Sequence, residues 1–591
     1  MKQVLSISFV LLLMALSTTQ IAAQHVYVDA DASAANPNGS VQAPFPTITQ
    51  ALTQAQAGDT IRVAGGTYTG RLLLDQNVGV VLQGGFEPGT FATRDVQRYE
   101  SRIQGSPEFA VIEIQYFGGP DNPQHYEIEG FTIEGGQRGI LAQNFLSGGW
   151  PVLIIAHNII RNNTGLTGSN DYGGGVASAS MLLQLRGNHI HNNSSGKSAG
   201  FSVQLNNPNY EVLIEDNIIE NNQIYSDHGA GGGVQIYRGT IRGNIFRNNH
   251  ILESYGWGGG LIIDGNRFEG FSDEVFITLS GNTYIQNSAP SGGGGLFIDE
   301  GANVRMYNER IVLNRSLSSR NGGLLVDGPR GTSMARTEIY NTTIAGNTGA
   351  DWNQGHAITI EGGSHVIANN SIFWQNTSSD NSVDFYVESG STLDVNYSIF
   401  QTGSAGDGAI VLRNSFQQDP LFANLSEGDV HVRSAGGRWD SLLEDWVIDS
   451  VTSPAVDAGD PDAPFDLEPD PNGGRVNLGA YGNTPQASKS PVPGTSVSVV
   501  REFPQTVTLL PAYPNPFNPV ATIRFSLDQA TLVELDVFDL LGRSVRVLAS
   551  EVFSAGEHTR VFDASGLPSG IYQIMLKTES GLQTQRVILL K

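Results

Sequence analysis

IHNNSSGKSAGFSVQLNNPNYEVLIEDNIIENN, residues 190–222, opens and closes on one phrase: an apolar residue followed three positions later by Asn. Ile190 leads to Asn193 and, 29 residues on, Ile219 leads to Asn222. Working outward, the apolar anchor returns at Ile133, Ile160, Phe246, Tyr284, Ile311, Ile344, Phe373 and Phe400, with spacings between 27 and 38 residues. The third position after the anchor is Asn at 163, 193, 222, 249, 287, 314, 347 and 376, flanked by Gly136 and Gly403. Repeats of this length mark a solenoid. Within each repeat a Gly-rich entry leads to a strand such as GLIID (260–264) or GLFID (295–299), then a turn, a second strand and a third ending at the anchor. Short runs rich in Val and Ile, bounded by Gly and Asn, are strands rather than helices. Three strands per repeat predict an all-β protein built as a β-helix solenoid. Equivalent residues on stacked coils then stand about 4.8 Å apart, so the Asn column is expected to form a buried or corner ladder of side-chain amides.

The chain has 591 residues, a formal charge of -25, 71 glycines and no cysteine. A solenoid tolerates such length because each coil buries its face against the next. Nucleic acid is a poor partner, since its affinity rests on cations that neutralise phosphates, and the chain carries only five lysines. Lys2, the apolar run Val4–Leu16 and the small residues Ala22 and Ala23 predict a cleaved secretory signal over residues 1–23. No later apolar run is long enough to span a membrane, and without cysteine the coils must hold by packing alone.

From residue 24 to 59 the chain contains PFPTI (44–48) and GDTI (58–61), with Thr47 placed to cap a short helix carrying Ile48, Leu52 and Ala55. This stretch resembles the N-terminal segment of right-handed parallel β-helix proteins of the pectin-lyase-like group, in which such phrases bracket a capping helix. Residues 60–434 are then expected to form the β-helix. Residues 435–484, containing SPAVDAGD (453–460) and LGAY (478–481), resemble the closing segment found after many secreted bacterial β-helices and are expected to cap its C-terminal end. Residues 485–504 read as a Pro-, Ser- and Thr-rich linker. Residues 505–591 carry YPNPF (513–517), DLLGR (539–543) and PSGIY (568–572), and resemble the C-terminal sorting domain of type IX (Por) secretion. Alternating strands predict a small Ig-like β-sandwich there. The resemblance implies recognition by the type IX machinery and a secreted or outer-membrane surface-attached location.

Three constellations carry possible chemistry. A second periodic column places Asp264, Asp299, Asp327, Glu361 and Glu388 at strand ends, with Arg413 of GAIVLR (408–413) as the next equivalent residue. Acids before Gly make turns; stacked like charges also repel and attract cations, which makes Asp264, Asp299, Asp327 and Glu361 candidate Ca2+ ligands. Asp466, Glu468, Asp470 and Asn472 alternate as in a calcium loop but lack its closing acid, and read as an acidic turn. The loops after each Asn carry Tyr172, Lys197, Tyr225, Asp227, His228, Tyr255, Trp257 and Trp352. Aromatic rings interleaved with charges suit a polysaccharide, so Tyr172, Tyr225, Tyr255, Trp257 and Trp352 are candidate sugar-binding residues. The expected function is binding of extracellular polysaccharide by a monomer. The alternatives are a polysaccharide lyase or glycoside hydrolase, with Lys197, Asp227 and His228 as catalytic candidates, and a protein-binding adhesin.

Overall fold

The computed structural model describes residues 24–491 and 508–590, apart from 76–77, 120–123, 146–148, 167–171, 226–228, 266–274, 319–320, 329–335, 350–355, 378–382, 511, 528–530, 540–542, 554–555 and 579–580. The signal segment and most of the linker therefore lie outside the described residues. The chain divides into two units, residues 1–492 and 493–591.

The first unit winds through three parallel sheets. The first sheet has 14 strands, from His25–Val28 to Ala409–Arg413. The second has 12, from Gly66–Thr69 to Ile399–Phe400, and the third has 12, from Leu72–Leu74 to Ser404–Ala405. In the middle coils a fourth ladder of two-residue strands, Ser194–Ser195 to Arg315–Ser316, follows the second sheet, so these coils carry four strands where the sequence predicts three. Inward residues fill one continuous core; the anchors Ile160, Ile190, Ile219, Phe246, Tyr284, Ile311, Ile344 and Phe373 are all fully buried. The rings of Phe246 and Tyr284 stack with centroids 5.0 Å apart. At the N-terminal end Thr47 accepts a hydrogen bond from the Gln50 N–H at 3.2 Å and starts the helix Ile48–Gln54, whose Ile48 and Ala51 are buried in that core.

The corners explain the Asn column. The Asn163 side-chain amide donates to Asn193 Oδ1 at 3.0 Å and to the Ile133 carbonyl at 3.3 Å, while the Asn163 N–H reaches the same Oδ1 at 3.1 Å. The relation repeats through Asn222, Asn249, Asn287, Asn314 and Asn347 to Asn376. Left-handed backbone falls on the residue before each ladder Asn, as at Asn162, Asn192, Asn221 and Asn248, with φ between 54° and 55°. The Gly-rich entry belongs to the same corner. A Cβ on Gly231 would stand 2.2 Å from the Gly260 carbonyl oxygen and 3.0 Å from Asn249 Nδ2, so only Gly fits beside the ladder.

A second ladder lies two residues before the anchors, where the first sheet turns into the second. Asn158, Asn188, Asn217, Asn244 and Asn282 are joined amide to amide at 2.9–3.1 Å. Asn282 Nδ2 then donates to the carboxyl of Glu309 at 3.1 and 3.2 Å. Glu309 is fully buried, and burial, opposed by the N–H and amide of Asn282, pushes its pKa up to about 8. Beyond it the position is held by Thr342, Ser371 and Ser398, whose backbone N–H groups donate to the hydroxyl of the following coil in Thr342–Ser371 and Ser371–Ser398. The first ladder also ends on an acid. Where Gly403 replaces Asn, buried Asp384 accepts from the N–H groups of Gln401 and Thr402 at 2.8 Å and from Asn376 Nδ2 at 3.5 Å.

GAIVLR does not lie where the sequence suggests. Ala409–Arg413 pairs with Thr392–Asn396 in the first sheet, whereas the third sheet continues from Phe385–Val387 to Ser404–Ala405. Arg413 therefore does not continue the column. The run was misassigned because its composition suits either sheet. The segment read as a C-terminal cap packs on the side of the solenoid: Ala455 and Leu478, together with Val432 just before it, bury against Ile372 and Ile399 of the second sheet. Its backbone at Gly479 and Ala480 donates to the Asn370 carbonyl at 2.8 Å and to Thr343 Oγ1 at 2.9 Å.

The second unit is an antiparallel sandwich. A three-stranded sheet, Thr508–Leu509, Val520–Leu527 and Gly556–Asp563, shares a core with the four-stranded sheet Ser544–Phe553, Thr531–Phe538, Gly570–Thr578 and Gly581–Leu589. Phe517, Phe525 and Phe562 are among its buried rings.

Asn249→Leu removes a side chain that serves two neighbouring coils and takes the acceptor from the buried Asn222 N–H and from one hydrogen of the Asn222 amide. Unpaired buried polar groups cost about 1–3 kcal/mol each. We expect a clear drop in the calorimetric melting temperature of the solenoid, with Asn209→Leu, exposed and outside the ladders, leaving it unchanged.

Candidate functional site

The third sheet is edged by two columns of polar and aromatic side chains, one at strand entry and one at strand exit. At entry Tyr172 bridges Lys197 of the next coil, and the Lys197 ammonium lies 5.5 Å from the Tyr172 ring centroid. Lys197 stands four residues before Phe201 and Trp257 four before Leu261, and these strands are in register through Gly232. Tyr172, Lys197 and Trp257 therefore share one column, with one coil between Lys197 and Trp257. Arg138 Nε donates to the Tyr172 carbonyl at 3.0 Å, and burial holds the Arg138 guanidinium pKa below its ordinary value. Tyr255 is 57% exposed and meets Trp257 edge-on at 4.3 Å. Trp257 itself is half-buried: its ring covers outward-facing Ile262, Phe297 and Leu325 of the third sheet. Tyr225 lies elsewhere, following the short strand Gln223–Ile224, with its N–H donating to the Ser195 carbonyl at 3.2 Å. Asp227, His228 and Trp352 lie outside the described residues.

At strand exit the carboxylates are in register, Asp264 with Asp299 and Asp327 with Glu361. The column continues toward the N-terminus as amides: Gln115 aligns with Gln143, and Ala179, Gln204 and Gln235 lead to Asp264. These glutamines were missed in the sequence although each stands one residue before its strand's end, in register with the position the acids hold later. Gln235 Nε2 reaches Asp264 Oδ2 at 3.4 Å, and the Glu300 N–H donates to Asp299 Oδ1 at 2.7 Å. Burial first, then repulsion from Asp264 and Asp327, pushes the Asp299 pKa up to about 7 against that N–H. Glu388, by contrast, accepts from the Gly362 N–H at 2.9 Å. Among the described residues no group of three or more His, Asp or Glu side chains converges to hold a metal ion.

The acidic turn at 466–472 is structural. Glu468 is buried and accepts from the N–H groups of Asn477 and Asn483 at 2.8 Å, and burial raises its pKa to about 7. An exposed aromatic pair was not foreseen: Phe117 and Phe145, on adjacent coils after strands of the third sheet, stack with centroids 4.9 Å apart.

Residues 116–268 match the family model described as the right-handed beta helix region, and residues 511–590 match that of the secretion system C-terminal sorting domain. Residues 324–459 match a model described as disaggregatase related, and residues 32–72 one described as a protein of unknown function. A solved structure titled "Crystal structure of pectate lyase Pel9A" aligns at 12% identity over 78% of this chain and 97% of that chain, with a TM-score of 0.34. No curated protein matches the chain. The chain is thus a right-handed parallel β-helix joined to a type IX sorting domain, which directs it to a secreted or cell-surface location. Among the described residues no helix is long and apolar enough to cross a membrane.

Asp299 gives a signed pH dependence. Its folded pKa of about 7 exceeds the unfolded value of about 3.9, so the stability it contributes at acid pH is lost as pH rises from about 4 to 7. Asp299→Asn, which stays neutral, is expected to match the wild-type melting temperature near pH 4 and to exceed it at pH 8, by roughly 1–3 kcal/mol in stability. Thermal melts of both proteins across that range are the check.

Proposed function

We propose that the β-helix binds extracellular polysaccharide along the third sheet. The observation that carries this reading is the column Tyr172, Lys197 and Trp257, with exposed Tyr255 beside it, arranged along the solenoid axis. Rings on such a column offer faces for sugar stacking, while the Lys197 ammonium and the strand-exit amides and carboxylates offer hydrogen bonds to hydroxyls. Stacked coils set these groups at a fixed pitch, which suits a polymer better than a single small ligand. Lys197, considered from sequence as a base, serves in this reading as a positive contact on the glycan. Ca2+ is the cation proposed for the strip of Asp264, Asp299, Asp327 and Glu361, because its donors are all oxygen.

The test is affinity electrophoresis or column retention of the exported protein against a panel of neutral and acidic polysaccharides, with and without calcium. Tyr255→Ala and Lys197→Ala are the informative variants, since Trp257 also covers core residues and its loss would perturb packing. At least one glycan should be retained by the wild type, and each variant should weaken that retention about tenfold with an unchanged melting temperature. Retention of none, or retention indifferent to both variants, would sink the proposal.

A further inference from the structure

The corner between the fourth ladder and the third sheet carries an outward apolar stripe. Within the ladder Ile224, Ile251 and Ala289 turn inward and bury together with Ala199 and Ala230, so the residue after each short strand turns outward. The N–H groups of Tyr225, Leu252 and Leu317 donate to the Ser195, Ile224 and Ala289 carbonyls of the preceding coil at 3.0–3.2 Å. These bonds, with the pairing of His250 and Ser288, set Gly196, Tyr225, Leu252, Pro290 and Leu317 in one line along the axis. The bridge between Thr164 and Ser194 brings Leu166 to the head of that line. Leu166, Leu252 and Leu317 are 61%, 52% and 44% exposed. Successive coils stand about 4.8 Å apart, so the stripe is about 24 Å long. One exposed leucine means little; a file of them at a single position of stacked coils marks a contact surface.

We infer that the glycan bound here is the face of an ordered, insoluble, uncharged polysaccharide rather than one dissolved chain. The inference rests on the polysaccharide reading above and narrows its substrate. Stripe and ring column share their coils: Leu166 and Tyr172 stand on one, Leu252 and Trp257 on another, with exposed Tyr255 between the latter two in the chain. A dissolved chain is held by groups that surround it and bond its hydroxyls. Leucines on an outward corner do neither, and meet only a partner that is itself flat and apolar over several coils. Packed sugar chains present such a face, since their C–H groups repeat along it while their hydroxyls bond within the solid. The stripe is fixed by the coils before contact, so little ordering opposes adsorption. Charge points the same way. The chain carries -25, yet the stripe holds no charged residue, and the outward position two residues earlier holds Gln223, His250, Ser288 and Arg315, without an acid. An acidic polymer would set its carboxylates against leucine with nothing to compensate them.

The experiment is depletion of the exported protein from solution by microcrystalline cellulose, crystalline chitin and insoluble mannan, set beside its retention by the matching soluble hexasaccharides. The wild type is expected to adsorb to at least one solid about tenfold or more tightly than it holds the hexasaccharide. Leu252→Asp and Leu317→Asp should each weaken adsorption about tenfold, with melting temperature and hexasaccharide retention unchanged. Leu442→Asp, at a leucine 96% exposed and outside the stripe, should leave adsorption as it was, whereas Tyr255→Ala should weaken the hold on both forms. Hexasaccharide retention without adsorption to any solid overturns the inference and leaves the polysaccharide reading standing; binding of neither form removes both. Adsorption indifferent to Leu252→Asp and Leu317→Asp, or weakened equally by Leu442→Asp, overturns the inference as well.

Discussion

A coil that must turn sharply while staying buried has to satisfy its backbone polar groups at every corner, and here two columns of side-chain amides do so. Each Asn Oδ1 takes the N–H and the amide of the preceding coil, and its own amide closes a carbonyl that the turn leaves open. The left-handed residue ahead of it makes the bend, and the glycine beside it makes room. Remove the amide and neither the bend nor the close approach of the Gly strands has a partner. The strands between corners are then free to vary in their outward residues, and the third sheet uses that freedom for its two edge columns.

Sheet register is what turns scattered loop residues into a surface. Tyr172, Lys197 and Trp257 are separated by tens of residues in sequence, yet their strands fix them in one line. The same stacking forces like charges together at Asp264, Asp299 and Asp327, and that crowding adds to the burial that raises the pKa of Asp299. The charge is tolerated because the strip lies at a strand end, where burial is incomplete, and because amides rather than acids hold the earlier coils.

Periodicity made the solenoid, its anchors and one Asn ladder legible from residues alone, because each depends on one residue type at one offset. The second ladder stood equally in the sequence, two residues before the anchors, but its later places are Glu, Thr and Ser, and the changing identity hid the constant role. GAIVLR was misassigned because an apolar strand carries no mark of the sheet it joins; only the length of the intervening turn decides. Glu468 read only as part of an acidic turn, because a sequence does not show which acids face inward toward backbone N–H groups. Trp257 shows the same limit for aromatics: its neighbours across the coil, Ile262 and Phe297, give it a packing role that spacing does not reveal.

The amides of each ladder all point the same way. From Asn163 to Asn376, and from Asn158 to Asn282, the NH2 group faces the C-terminal coil and the oxygen faces the N-terminal one. Each ladder is therefore a file of parallel dipoles running along the solenoid axis, with its positive pole toward the C-terminal end. At that pole, in both ladders, stands a buried acid, Glu309 in one and Asp384 in the other. The solenoid thus ends its amide files as an α-helix ends its peptide dipoles, with carboxyl oxygens accepting at the pole where N–H groups run out of partners.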